Sequence, residues 1–289
     1  LEDGADVSGG RLVDIEALTL TSGASVRLSA VQNQNFTGAV VAPGTGINGE
    51  TITISGDGAI TTLVNVENYS IDDDSTNARN VIIRASNTNV TARSVTDAVT
   101  FTIGVLVYTG TITGQGAVDD RLMLSNGADI SSGTIVKVEA LTLASGASVR
   151  LSVAQNQAFT GAIVAPGIGV SGEKIIIVGD GAITVCANIE IYELGDDSTN
   201  ARTVTLNASA LTLIADNLTD VITVNAAALA QNGALTLRAS TSSLIVTNLV
   251  GDIVASDLTG ALTITTANAV DNGISIMTGS AACTVNVAA

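Results

Sequence analysis

The sequence predicts an all-β protein, built as a parallel β-helix, and three observations carry that reading. Apolar residues alternate with Thr over many short stretches, the chain repeats itself at a spacing of 123 residues, and bulky rings are nearly missing. Of 289 residues 46% are hydrophobic, only 2% aromatic and 13% charged. A chain this apolar folds despite a net charge of −16, because it has enough surface to bury a core.

The alternation comes first. Thr51-Ile52-Thr53-Ile54-Ser55, Val99-Thr100-Phe101-Thr102-Ile103 and Leu262-Thr263-Ile264-Thr265 have the period of two that marks a half-buried strand. Turn dipeptides separate such runs, among them Ser22-Gly23, Asn126-Gly127, Asp180-Gly181 and Asn272-Gly273, since Gly and Asn accept the backbone angles of tight turns. The best helical stretch is short, Val224 to Ala230, and is expected to be a minor element.

The duplication is unambiguous. Residues 4–79 align with 127–202 without a gap, with 51 of 76 positions identical, and the register persists more weakly beyond residue 79. We therefore divide the chain into a first β copy at 1–126, a second at 127–249, and a partial third copy or terminal strand segment at 250–289. A finer period lies inside. Strand cores centre near Leu20, Ile54, Ile83, Ile112, Leu143, Ile177, Leu206, Leu237 and Ile264, about 31 residues apart. With three strand-like segments per period, the prediction is a three-strand coil of about 31 residues, stacked as a β-solenoid. Tandem β-sandwich domains are the alternative, because 123 residues with short strands is also the size of a sandwich unit.

Composition excludes several chemistries. The chain has no His and no Trp, and its 11 Lys and Arg are set against 27 Asp and Glu, with Lys only at positions 137 and 174. His-dependent triads are thereby excluded, and a phosphate-tracking surface with stacking aromatics is not expected, so nucleic acid is not a predicted partner. No apolar run is long enough for a transmembrane helix. A chain opening on Leu1 reads as a processed or excised form. Cys186 and Cys283 sit in small apolar contexts and read as interior thiols, with a disulfide as the alternative.

Calcium is the one cofactor the residues bring into view. Asp72, Asp73 and Asp74, with Asp196 and Asp197 in the matching part of the second copy, cluster carboxylate oxygens of the kind calcium prefers. Asp57 and Asp180 form a second repeated pair. The preferred reading is turn chemistry, with Arg79 and Arg202 neutralising the clusters. Asp119-Asp120-Arg121 is the compact acid-base triplet, and it reads as a polar turn; no enzyme is predicted. Thr-x-Thr runs at 19–21, 51–53, 100–102, 111–113 and 263–265 raise ice binding, but the second copy replaces the first two with Thr142-Leu143-Ala144 and Lys174-Ile175-Ile176.

The Gly-Asp-Gly-Ala-Ile-Thr units at 56–61 and 179–184, the Gly-Ala-Leu-Thr stretches at 233–236 and 260–263, and the Ala, Val, Thr and Asn richness give the chain a family likeness. It resembles the strand-repeat regions of large bacterial secreted surface proteins. The resemblance implies export and a place in an adhesin, surface layer, sheath or fibre. The calcium-binding nonapeptide of haemolysins is missing, so its ligands are not carried over. The expected function is that of an extracellular structural protein, a subunit or segment of a self-assembling surface layer, sheath or fibre. Its expected partners are other copies of itself and cell-surface polysaccharide. An adhesin stalk, an ice-binding solenoid or a carbohydrate-binding solenoid are the alternatives.

Overall fold

A computed structural model describes residues 1–15, 17–36, 49–72, 77–92, 94–116, 119–159, 163–164, 172–195, 200–207, 211–216, 218–239, 242–267, 273–280 and 282–288. The chain forms two compact units, Leu1–Thr142 with Ala158–Gly161, and Leu143–Gln157 with Ala162–Ala289.

Each unit is a parallel β-solenoid. In the first, sheet 1 stacks Ser25–Ser29, Thr51–Ser55, Asn68–Ile71, Asn89–Thr91, Thr111–Thr113 and Thr134–Val136 in chain order. The intervening strands Ile60–Thr61, Arg79–Ile83, Val99–Ile103, Arg121–Leu124 and Ala140–Leu143 make sheet 2. In the second, sheet 3 holds Ser148–Ser152, Lys174–Val178, Ile191–Leu194, Leu211–Ile214, Ala234–Arg238, Asp252–Ala255 and Ile276–Thr278. Sheet 4 holds Ala182–Thr184, Arg202–Thr205, Ile222–Asn225, Leu244–Leu249, Leu262–Thr266 and Cys283–Asn286. The chain thus alternates between two sheets, one strand of each per turn, and about 10 turns result. The registered strand pairs are parallel, as in Val26↔Ile52 and Val224↔Val246. Antiparallel sandwiches are therefore set aside.

The size of the turn corrects the sequence reading. Along sheet 1, Ser25 pairs with Thr51, Thr51 with Asn68 and Asn68 with Asn89, so a turn is shorter than the predicted coil and its length varies. A turn carries two registered strands among the described residues, not three. The predicted spacing of strand cores is close to one and a half turns, so successive cores fall on opposite sheets: Ile54 on sheet 1, Ile83 on sheet 2, Ile112 on sheet 1 again.

The core is a set of vertical rows. Ile183, Val204, Val224, Val246 and Ile264 are in register and fully buried. Val26, Ile52, Tyr69, Val90 and Ile112 form the matching row of sheet 1. Each such aliphatic side chain contributes about 1.5–3 kcal/mol by leaving water. β-Branched residues suit the rows because their χ1 is already restricted in a strand, so little entropy is lost on stacking.

Among the described residues two short helices interrupt the strands, α1 at Ala30–Asn35 and α2 at Val153–Ala158. Their signal is a capping box. The Ser29 hydroxyl accepts from the Gln32 amide at 3.2 Å while the Gln32 side chain accepts from the Ser29 amide at 2.8 Å, and Ser152 and Gln155 repeat the exchange. The helix expected at 224–230 does not form. Ile222, Thr223 and Val224 pair between two neighbouring strands, and the alanines that follow only turn the corner. Tertiary pairing overrides their helix propensity. Both Cys186 and Cys283 are free thiols, and no described helix is long and apolar enough to cross a membrane.

Facing is testable at adjacent positions. Ile54 is fully buried, whereas Thr53 lies on the outer side between Arg27 and Ser70. Ile54→Asp is expected to cost at least about 3 kcal/mol in urea unfolding, as an unpaired buried charge does. Thr53→Asp is expected to lie within about 0.5 kcal/mol of the parent, and equal losses for the two would overturn the facing.

Candidate functional site

Of the five predicted calcium residues, only Asp72 is among the described residues. Asp72 follows the strand Asn68–Ile71, donates its amide to the Ile54 carbonyl at 2.9 Å, and its carboxylate accepts a hydrogen bond from the Arg27 guanidinium. The same guanidinium lies 4.0 Å from Asp6, so the Asp72 charge is already paired. Asp73, Asp74, Asp196 and Asp197 lie outside the described residues. Among the described residues no group of three or more metal-ligating side chains forms. Asp57 and Asp180 each accept from an Asn amide one turn on, Asn77 at 2.7 Å and Asn200 at 2.5 Å. Each Asp sits between glycines at positive φ, 76° and 135° in the first copy and 93° and 133° in the second, which is why Gly-Asp-Gly recurs there.

The acid-base triplet also separates. Asp120 is fully buried and its two oxygens accept from the Val99 and Gln115 amides, both at 2.7 Å. Arg121 is exposed on the outer side of sheet 2 beside Thr100. Burial pushes the Asp120 carboxyl above its usual value, against the pull of those two amides. A Cβ on Gly114 would collide with this carboxylate and with the Lys137 carbonyl, so the corner needs glycine.

Asp120 belongs to a set of corner carboxylates whose other members, all glutamates, the sequence did not single out. Glu50 is fully buried and accepts from the Gly23 amide at 3.1 Å, while its own amide donates to Glu67 at 3.2 Å. Glu173 and Glu190 repeat this with Gly146, at 2.9 and 3.1 Å. Each buried acid thus caps the amide of one neighbouring turn and is itself capped from the next. The two acids of a pair adjoin through that amide contact. Burial pushes Glu67 and Glu190 upward, and the adjoining Glu50 and Glu173 add to it. For Glu50 and Glu173 burial acts upward too, but hydrogen bonds from the partner acid and from backbone amides outweigh it and hold them low. Within each pair Glu67 and Glu190 thus hold a proton more readily than Glu50 and Glu173 do. The readable signal was only that these acids recur at the 123-residue spacing.

All six aromatic residues are buried: Phe36, Tyr69, Phe101, Tyr108, Phe159 and Tyr192. The Tyr69 hydroxyl donates to Asn33 of α1 and accepts from the Leu63 amide at 2.9 Å. Tyr192 does the same with Asn156 of α2 and the Cys186 amide at 3.0 Å. Desolvation raises both phenols and the Cys186 thiol. These groups anchor the helices to the interior.

The outer faces differ in kind. Sheet 3 carries Arg150, Lys174, Glu193 and Arg238, with Lys174 and Glu193 paired at 2.7 Å. Sheet 4 presents two outward columns. One runs in register through Ala182, Thr203, Thr223, Ile245, Thr263 and Thr284. In the other, Thr184, Thr205, Asn225 and Thr247 are in register, and Thr265 and Asn286 continue it beyond a bulge that follows Val246. The only charged residue in these strands, Arg202, points inward and is 1% exposed. The Thr runs that the second copy breaks lie elsewhere, Thr142 and Leu143 on sheet 2 and Lys174 to Ile176 on sheet 3. Comparing copies at a spacing of 123 residues never compares one turn of sheet 4 with the next.

No protein-family model, curated protein or solved structure matches the chain.

The carboxyl pairs predict a pH profile. Groups held above their ordinary value, Glu67, Glu190 and Asp120, stabilise the fold at low pH, and that contribution is lost as pH rises through their folded values. Glu50 and Glu173 behave oppositely, stabilising above the ordinary glutamate value and losing this as pH falls through their lowered values. Thermal melts across pH are expected to peak on the mildly acidic side. The double variant Glu67→Gln, Glu190→Gln is expected to flatten the fall towards alkaline pH, and an unchanged alkaline limb would refute the upward shift of these two carboxyls.

Proposed function

We propose that the chain is an extracellular structural protein, a segment or subunit of a self-assembling surface layer, sheath or fibre. The observation that carries this reading is the destination of the buried acids. Glu50, Asp120 and Glu173 each accept a backbone amide of an adjacent turn, so the interior polar chemistry serves the stacking of turns. Buried acceptors used in this way stiffen a stack, because breaking one leaves a desolvated group unpaired.

Charge regulates association. A net charge of −16 keeps copies apart at low ionic strength, and salt screens that repulsion over about 10 Å at about 0.1 M. Calcium would act in the same direction and further if Asp73, Asp74, Asp196 and Asp197 supply ligands between copies. An adhesin stalk is the second reading, and it shares the stiff stack but not the self-association.

Electron microscopy and sedimentation of the purified chain, at low salt, at near-physiological salt and with calcium, test the proposal. Filaments or sheets that appear as salt or calcium rises are the expected result. Particles that remain single under all three conditions would overturn self-assembly and leave the stalk.

A further inference from the structure

We propose that the outer face of sheet 4 is a binding surface for ice. The inference is independent of self-assembly and rests on the two outward columns of that sheet.

The face repeats in two dimensions. Successive strands lie about 4.8 Å apart and alternate residues of one strand about 6.6 Å apart, so Thr203, Thr205, Thr223 and Asn225 stand at the points of a two-column grid, which Thr263 and Thr265 resume beyond the strand that carries Ile245 and the bulge. A grid of similar small groups offers no unique pocket to a single molecule. It matches a ligand that is itself periodic, and each hydroxyl can both donate to and accept from a water.

Neutrality points the same way. In a chain with 11 basic and 27 acidic residues, no charge falls on the outward positions of the six strands of sheet 4. An ion on the face would hold its own hydration shell and interrupt a water lattice. The residues two before the first column at Ala201, Val221, Ser243, Ala261 and Ala282 are short and uncharged, and the one charge on that side is Asp180, two before Ala182 at the first strand.

The grid is also pre-organised. Threonine in a strand has a restricted χ1, which fixes hydroxyl and methyl together before any ligand arrives. Asn225, which stands in a threonine's place, is held by the Ala227 amide and by Asn248, both at 3.2 Å. Ordering waters on such a face costs little side-chain entropy. Polysaccharide and protein partners fit less well: sugar platforms and protein hot spots draw on exposed aromatic rings or Arg, and here all six rings are buried.

The test uses the full chain and three sets of substitutions. Thermal hysteresis and inhibition of ice recrystallisation are measured for the parent, for Thr223→Lys with Thr263→Lys, for Thr223→Val with Thr263→Val, and for Thr212→Lys on sheet 3 as the control. The parent is expected to separate melting from freezing and to slow recrystallisation. The double Lys variant is expected to lose both effects with its thermal melt unchanged, and the control to keep them. The Val pair conserves shape, so it reads the hydroxyls even where the Lys pair fails to fold, and is expected to weaken both effects. A parent without either effect, or Lys and Val pairs that retain both in full, would overturn the proposal. Retention of the parent on insoluble cellulose or chitin without any effect on ice would overturn it in favour of polysaccharide.

Discussion

Everything in this protein follows from stacking one turn on the next in register. Backbone amides and carbonyls of a turn are satisfied by its neighbours, and each inward side chain rests on the one before it, as Val204, Val224 and Val246 do. That geometry admits mainly β-branched and aliphatic residues. It also explains how the rare rings are used: Tyr69, Tyr108 and Tyr192 are buried, and each hydroxyl finds a partner in the interior. The corners are where regular pairing fails. Glu50, Asp120 and Glu173 fill that gap with carboxylate oxygens, although each acid must be desolvated to do so.

Because the interior is so constrained, difference is expressed outside. Sheet 3 gives outward positions to ion pairs such as Lys174 with Glu193, which suits contact with water. Sheet 4 fills them mostly with uncharged hydroxyl and amide groups in two files. The two faces belong to the same turns of the second unit, so their contrast does not arise from different folding requirements.

The class and the facing were legible in the sequence because a period of two is a local property, visible in Thr51–Ser55 alone. Turn length was not, because it depends on which strands become neighbours. The unequal steps from Ser25 to Thr51, on to Asn68 and then to Asn89 blur any single period, and a regular spacing of cores turned out to alternate between sheets. The helices were legible in principle through Ser29 and Gln32, and alanine content at 224–230 drew attention elsewhere. The acid clusters drew attention through their density. The acids that matter to the interior, Glu50 and Glu173, stand apart from any cluster and show their role only when Gly23 and Gly146 are brought beside them. The hydroxyl files of sheet 4 were hidden for the same reason, since turn-to-turn alignment exists only once the strands are paired.

The uneven length of the turns carries a further consequence. The longest steps, from Ser25 to Thr51 and again from Ser148 to Lys174, are those that contain α1 and α2. Strand pairing on either side keeps its register across them. A corner can therefore take up extra chain without disturbing the rows, since contacts run only between adjacent turns. Added chain at a corner is thus compatible with the scaffold where, like α1 and α2, it supplies its own inward contacts, as Asn33 and Asn156 do to the Thr61 and Thr184 carbonyls.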